Sequence, residues 1–402
     1  MQTDLPADFT DTPSGARAES ILRSCVHCGF CNATCPTYQL LGDELDGPRG
    51  RIYLIKDMLE TSEVTPVVVK HLDRCLTCRA CETTCPSGVA YGELLEIGRA
   101  YMEPEAARGL LARWQRRWLK AVVPYPRRFR RWVRLGRLFR WLLPRHLASQ
   151  LPAPGRRRSQ QNLARKRPAR RVVLLEGCVQ RVSTPGVNDA LRTLLGRRDV
   201  AVVSVAEEAC CGSLALHLGD AAAAEASMRR NLDALAPHLE TAGAVISTAS
   251  GCGVTLKDYG RLLASDPLYA PFARLLGDKL MDVSEYLHAL GPGFKRARDF
   301  RRVAWHAPCT LAHGQKLNGL VESLLVGAGY ELVPVQDAHL CCGSAGTYSL
   351  LQTQLAEQLK QNKLAALTAG GPDVIATANV GCQTHMSTDA PVPVVHWVEL
   401  LR

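Results

Sequence analysis

Between Pro48 and Glu60, apolar side chains fall at Ile52, Ile55, Met58 and Leu59. Steps of three and four residues are the period of a helix with one buried face, so GPRGRIYLIKDMLE reads as a helix packed on a core. VVVKHLDRC, a few residues on, reads as a second helix. The pattern changes in the C-terminal half. Short apolar, β-branched runs lead into VVLLEGC (172–178), AVISTASGC (244–252), VAWHAPC (303–309) and DVIATANVGC (373–382), and they read as buried strands. Helical patterns such as NDALRTLL, EASMRRNLDAL and LAEQLKQNKLAAL lie between them. Strands alternating with helices predict an α/β fold whose loops gather at the C-terminal ends of the strands.

A third pattern fills the middle of the chain. GLLARWQRRWLKAVV sets Leu110, Leu111, Trp114 and Trp118 at helical spacing, and RFRRWVRLGRLFRWLLP does the same with Phe129, Trp132, Val133 and Phe139. Arg and Lys occupy the other positions. Between Arg108 and Arg171 there are 21 Lys or Arg and no Asp or Glu. The formal net charge of +11 is therefore misleading as an average: without this segment, 28 basic residues face 38 acidic ones. The protein is an acidic body with one basic insert, and electrostatic expectations about partners belong to that insert. A cationic amphipathic pattern suits an anionic bilayer surface. Docking to an acidic subunit and binding of nucleic acid are the competing readings, and the tail PAPGRRRSQQNLARKRPARR reads as a solvated linker. No nucleic acid is expected.

The chain has 402 residues, which calls for more than one core. Its boundaries read as 1–105, 106–170 (the basic arm and linker), 171–290 and 291–402. The first residues, MQTDLPADFTD, are polar and acidic, unlike a signal peptide, and no apolar run approaches the length of a transmembrane helix. The expected location is cytoplasmic, with peripheral attachment to a membrane surface through the basic arm. In a reducing compartment, sixteen cysteines suggest metal ligands rather than disulfides.

CVHCGFCNATCP carries Cys25, Cys28, Cys31 and Cys35, and CLTCRACETTCP repeats the spacing at Cys75, Cys78, Cys81 and Cys85. C-x2-C-x2-C-x3-C-P is the bacterial ferredoxin run, in which three cysteines hold one cluster and the fourth crosses to the other. Structural zinc sites separate their ligand pairs by about a dozen residues or more. The crossing rule assigns Cys25, Cys28, Cys31 and Cys85 to one [4Fe–4S] cluster, and Cys75, Cys78, Cys81 and Cys35 to a second. The 39 residues from Pro36 to Arg74, with their helical patterns, favour a helical ferredoxin module.

The other eight cysteines form two sets: Cys178, Cys210, Cys211 and Cys252, then Cys309, Cys341, Cys342 and Cys382. The offset between them is 131 residues for three positions and 130 for the last, the mark of a duplicated domain. Each set is a candidate further iron–sulfur or zinc site. His385, three residues after Cys382, is a candidate extra ligand, and His306 and His313 flank Cys309. The fold class is thus α+β multidomain: a helical ferredoxin-like domain with two [4Fe–4S] motifs, then duplicated α/β Cys-Cys-Gly domains.

Two ferredoxin motifs followed by two Cys…Cys-Cys-Gly…Cys halves resemble the iron–sulfur subunits of bacterial glycolate oxidase (glycolate dehydrogenase). The resemblance rests on CVHCGFCNATCPTYQLLGDELDGPRGRIYLIK, CLTCRACETTCPSGVAYGELLE, EEACCGSLALHLG and CCGSAGTYSLLQ. Iron–sulfur subunits of lactate utilisation and of anaerobic glycerol-3-phosphate dehydrogenase share the layout, as do heterodisulfide-reductase subunits acting on thiols and disulfides. The resemblance implies two flavin-binding partner subunits that oxidise glycolate to glyoxylate. This chain would then be a non-flavin subunit with no catalytic residue of its own, passing electrons toward the respiratory chain, to a quinone or other membrane acceptor. No glycine-rich dinucleotide fingerprint is present to suggest otherwise. One departure stands out. Heterodisulfide-reductase domains end in a C-x2-C pair, where this chain has Cys252…Thr255 and Cys382…His385.

Overall fold

The computed structural model describes residues 1–142, 151 and 170–402. Most of the stretch read as a solvated linker lies outside the described residues. The N-terminal part is helical. Helices Pro13–Ser24, Pro48–Thr61, Pro66–Asp73 and Tyr91–Met102 enclose a core that includes Leu22, Ile55, Met58, Leu72, Leu94 and Leu95. Three of the four begin with proline, which has no N–H to leave unpaired in the first turn. Thr12 and Thr65 cap two of these starts by accepting from Gly15 N and Val68 N. The two helices expected between the cysteine runs are Pro48–Thr61 and Pro66–Asp73.

The C-terminal part holds two parallel four-stranded sheets. The first contains β1 (Arg170–Leu175), β2 (Val200–Ser204), β3 (Ala244–Ser247) and β4 (Leu280–Asp282) in the order β2-β1-β3-β4. The second contains β5 (Arg302–His306), β6 (Glu331–Val333), β7 (Val374–Thr377) and β8 (Val394–His396) in the order β6-β5-β7-β8. The identical order is the structural counterpart of the repeated cysteine spacing.

Alternation along the strands explains the layering. Val172, Leu174, Ala244 and Ile246 share one core with Val303, Trp305, Val374 and Ala376 from the other sheet. The inner faces of the two sheets are therefore joined, through helices Pro185–Gly196, Val283–Ala289 and Leu320–Gly327 and the buried Trp397. Val173, Leu175 and Val245 point the other way, into a cluster with Cys178, Cys210 and Cys211. Ala304 and Ile375 do likewise, with Cys342 and Cys382. The halves also meet at their strand ends: Ser250 N donates to Ala378 O at 3.2 Å, and His396 Nε2 lies 2.9 Å from Thr248 O.

Helices Leu110–Val122 and Pro126–Leu138 form the basic arm. Arg116, Leu119, Val122 and Val133 are buried, and Trp118 meets Trp132 edge to face at 5.3 Å. Arg108 and Arg116 pair with Asp73 and Glu103, which anchors the arm to the helical part.

Candidate metal centres

Both ferredoxin loops share an unusual backbone. His27 and Gly29 in the first, and Thr77 and Arg79 in the second, have positive φ of 55°, 83°, 54° and 59°. Alternating left-handed residues turn successive N–H groups inward, a concavity suited to anions such as sulfide and thiolate. Three of these residues are not glycine, so the conformation is held at a cost by what surrounds it.

One cavity is lined by Cys25, Cys28, Cys31 and Cys85, and a second by Cys35, Cys75, Cys78 and Cys81. Each contains the fourth cysteine of the other run. Cys81 and Tyr91 border both, so the two lie back to back. With Cys81 assigned to the second space by its run, four thiols remain for each, the ligand number of a [4Fe–4S] cluster. Burial, then Cys25, pushes the Cys31 thiol up to about 11, and burial likewise raises Cys78 and Cys81. Without a metal these sulfurs are held as thiols, and cation binding would reverse that preference.

The second cradle contains a buried cation that the hydrophobic pattern did not disclose. Arg51 is 1% exposed; its Nη1 lies 3.9 Å from Cys35 Sγ, and it donates to His71 O and Thr37 Oγ1 at 2.8 and 3.0 Å. Burial works against its charge, but Cys75, Tyr91, Cys35 and Asp46 outweigh that and hold the guanidinium more firmly protonated than usual. Asp46, fully buried, also takes Arg74 at 2.8 Å and His71 Nδ1 at 2.9 Å. Tyr91 donates its hydroxyl to Cys75 Sγ at 3.5 Å. Arg51 sits four residues before Ile55 on the apolar stripe, the one sequence signal that could have marked it.

In the first α/β unit, Cys178, Cys210, Cys211 and Cys252 come together, as the duplicated spacing led one to expect: Cys210 neighbours Cys178 and Cys211, and Cys211 neighbours Cys252. Asn231 Nδ2 donates to Cys210 O at 3.0 Å and Tyr259 donates to Cys211 O at 2.9 Å, fixing the paired-cysteine turn. Gly212 and Gly343 end the two turns at φ 88° and 85°. A Cβ there would come within 2.9 Å of Ala224 O and 2.6 Å of Ala356 O, so glycine is required.

In the second unit, Cys309 and Cys341 have their sulfurs 3.9 Å apart, and Cys342 neighbours both Cys341 and Cys382. The imidazole beside them is not His385. That ring lies 3.3 Å from Ala356 O, near Lys360, Glu357 and Asp389. His313 lies 2.9 Å from Thr83 Oγ1 and bridges to the helical part. His306, at the end of β5, is the one whose ring nitrogen lies within 4.8 Å of the sulfurs of Cys342 and Cys382. Three histidines near the cysteines in sequence are thus separated by the directions in which β5, the turn Thr310–Gly314 and the helix Val380–Met386 aim them.

The second cradle abuts this unit. Leu76 and Cys78 share an apolar cluster with Cys309, Cys341, Tyr348 and Leu359. Arg79 pairs with Asp258 at 3.0 Å and Arg261 with Glu96 at 2.9 Å, tying the helical part to the first unit as well.

Comparison with known families agrees with this arrangement. Residues 21–89 match the 4Fe-4S dicluster domain, and residues 172–257 and 303–387 each match the cysteine-rich domain. The chain is 48% identical to the glycolate oxidase iron-sulfur subunit of Escherichia coli (strain K12), over 100% of this chain and 98% of that one. It is 31% identical to the probable glycolate oxidase iron-sulfur subunit of Bacillus subtilis (strain 168), over 95% and 94%. Lactate utilization protein A of Bacillus licheniformis is 27% identical but aligns with only 58% of this chain. With full-length coverage on both sides, the chain belongs to the family of glycolate oxidase iron–sulfur subunits.

Proposed function

We propose that this chain carries electrons within a glycolate-oxidising complex, receiving them from flavin-containing partner subunits and delivering them toward a quinone at the membrane. The observation that supports this most is the pair of back-to-back cavities, each lined by the first three cysteines of one run and the fourth of the other, with Cys81 on the wall between them. Cys25, Cys28, Cys31 and Cys85 would hold one [4Fe–4S] cluster, and Cys75, Cys78, Cys81 and Cys35 the other. When bound, such clusters take up and release single electrons. The chain's own residues set the conditions. The left-handed residues curl each loop around its cysteines, Arg51 and Tyr91 offset thiolate charge in the second cradle, and Leu76 and Leu359 pack against it.

The basic arm supports peripheral attachment. Leu110, Leu111 and Trp114 are 84%, 77% and 62% exposed on a helix whose polar face is cationic, and no helix among the described residues is long and apolar enough to cross a membrane. Such a face inserts shallowly at an anionic interface. Replacing Leu110, Leu111 and Trp114 together with serine is expected to release the complex from anionic vesicles in a flotation assay; unchanged flotation would refute the attachment. The redox reading is tested by iron, acid-labile sulfide and low-temperature EPR on anaerobically purified protein. About eight irons and eight sulfides, with coupled signals after reduction, are expected. Zinc without sulfide would overturn it.

A further inference from the structure

The two α/β units share strand order and cysteine spacing, yet they differ at one position beside their thiols. His306 in β5 corresponds, at the 131-residue offset, to Leu175 in β1. Leu175 is packed among apolar side chains. The fold therefore accepts a hydrocarbon at this position, and nothing in the strand geometry calls for an imidazole.

His306 is 1% exposed, and neither of its ring nitrogens has a hydrogen-bond partner among the described residues. A buried polar group left in that state costs about 1–3 kcal/mol. One of its nitrogens lies with Cys342 Sγ and Cys382 Sγ in a group whose members are all within 4.8 Å of one another. In a tetrahedral N/S site with bonds of about 2.0–2.3 Å, neighbouring ligand atoms stand about 3.5–3.8 Å apart. Small side-chain movements would bring the three atoms onto one ion. Cys341, whose thiol neighbours that of Cys342, offers a fourth donor.

We propose that the second unit holds a single zinc-class divalent ion through His306, Cys342, Cys382 and Cys341, and that the first unit, with leucine in place of the histidine, lacks this mixed nitrogen–sulfur site. The proposal does not rest on the electron-transfer reading. It makes the duplicated units chemically unequal, with an ion that has no redox chemistry of its own beside the second ferredoxin-type cradle.

The test is X-ray absorption at the zinc edge on the full chain, together with metal analysis. Wild-type protein is expected to contain zinc with a nitrogen shell near about 2.0–2.1 Å as well as sulfur near about 2.3 Å. His306→Leu, which installs the residue of the first unit, is expected to lower zinc by about one ion per chain and remove the nitrogen shell. Cys382→Ser should lose the same ion, while iron and labile sulfide stay unchanged in both variants. An all-sulfur zinc shell in the wild type would overturn the proposal. So would full zinc retention in His306→Leu, or a loss of iron and sulfide from either variant. The wild-type spectrum decides the ligand type even where a variant fails to fold.

Discussion

The two ferredoxin-type cradles use the same loop in opposite surroundings. Around the first, Val26 and Phe30 are 67% and 61% exposed, Cys28 is exposed, and the nearest cation, Arg49, is partly in solvent and paired with Glu44. Around the second, Cys35, Cys75 and Cys81 are buried, Arg51 and Tyr91 reach two of the sulfurs, and the second α/β unit closes the far side. Exposure and hydrogen bonding to sulfur are what set the potential of an iron–sulfur centre. Identical ligand spacing therefore need not give identical centres. The exposed cradle is suited to exchange with a partner subunit. The buried one is expected to have the higher potential of the two, because a cation and a hydroxyl stabilise added negative charge there.

The largest expected effect comes from removing a ligand. Cys28→Ser and Cys78→Ser should each cut iron from about eight to about four per chain. In the assembled complex both should stop electron flow from glycolate to the acceptor while flavin reduction by glycolate continues. Normal flow in either variant would show that its cradle is not on the path. Next comes Arg51→Ala, which leaves His71 O and Thr37 Oγ1 without their buried donor, although Arg74 and His71 still hold Asp46, and should lower unfolding free energy by about 3 kcal/mol. Arg49→Ala breaks an exposed pair and should cost less than about 1 kcal/mol. Denaturant midpoints of the intact chain compare them, and equal losses would abolish the distinction. Tyr91→Phe removes one hydroxyl donated to sulfur, worth about 1.5–3 kcal/mol. In an EPR-monitored redox titration it should lower the potential of the second centre and leave the first in place. Phe30→Ala should change stability by less than about 0.5 kcal/mol. Its effect should appear instead as weaker binding to the flavin subunits in a pull-down titration.

Much of this was legible in the sequence where a periodic or local rule governs. The helix at Pro48–Thr61 follows from one apolar stripe, and β1, β3, β5 and β7 follow from β-branched runs too short to be helices. The pairing of Cys85 with the first run and Cys35 with the second follows the ferredoxin spacing, and each does line the other's cavity. What lay beyond reach was set by distant chain segments. The place of Arg51 on the apolar stripe does not disclose its partners, because Asp46, Thr37 and His71 O are brought around it only by the fold. His306, His313 and His385 are equivalent candidates in one dimension. The end of β5, the turn Thr310–Gly314 and the helix that follows β7 determine which ring meets sulfur. The core shared by the two sheets is likewise invisible locally, since each strand's alternation says that a face is buried but not against what.

The exchange of fourth cysteines has a consequence for how the protein is made. During synthesis the first run emerges complete in its own four thiols, but its cavity lacks a wall until Cys85 has left the ribosome. Cys35, meanwhile, waits for Cys75, Cys78 and Cys81. Neither nest can be closed by a shorter nascent chain. With the proposed crossed ligand assignment, cofactor insertion would wait until both loops exist, and a premature stop between them would leave an open half rather than a one-centre protein.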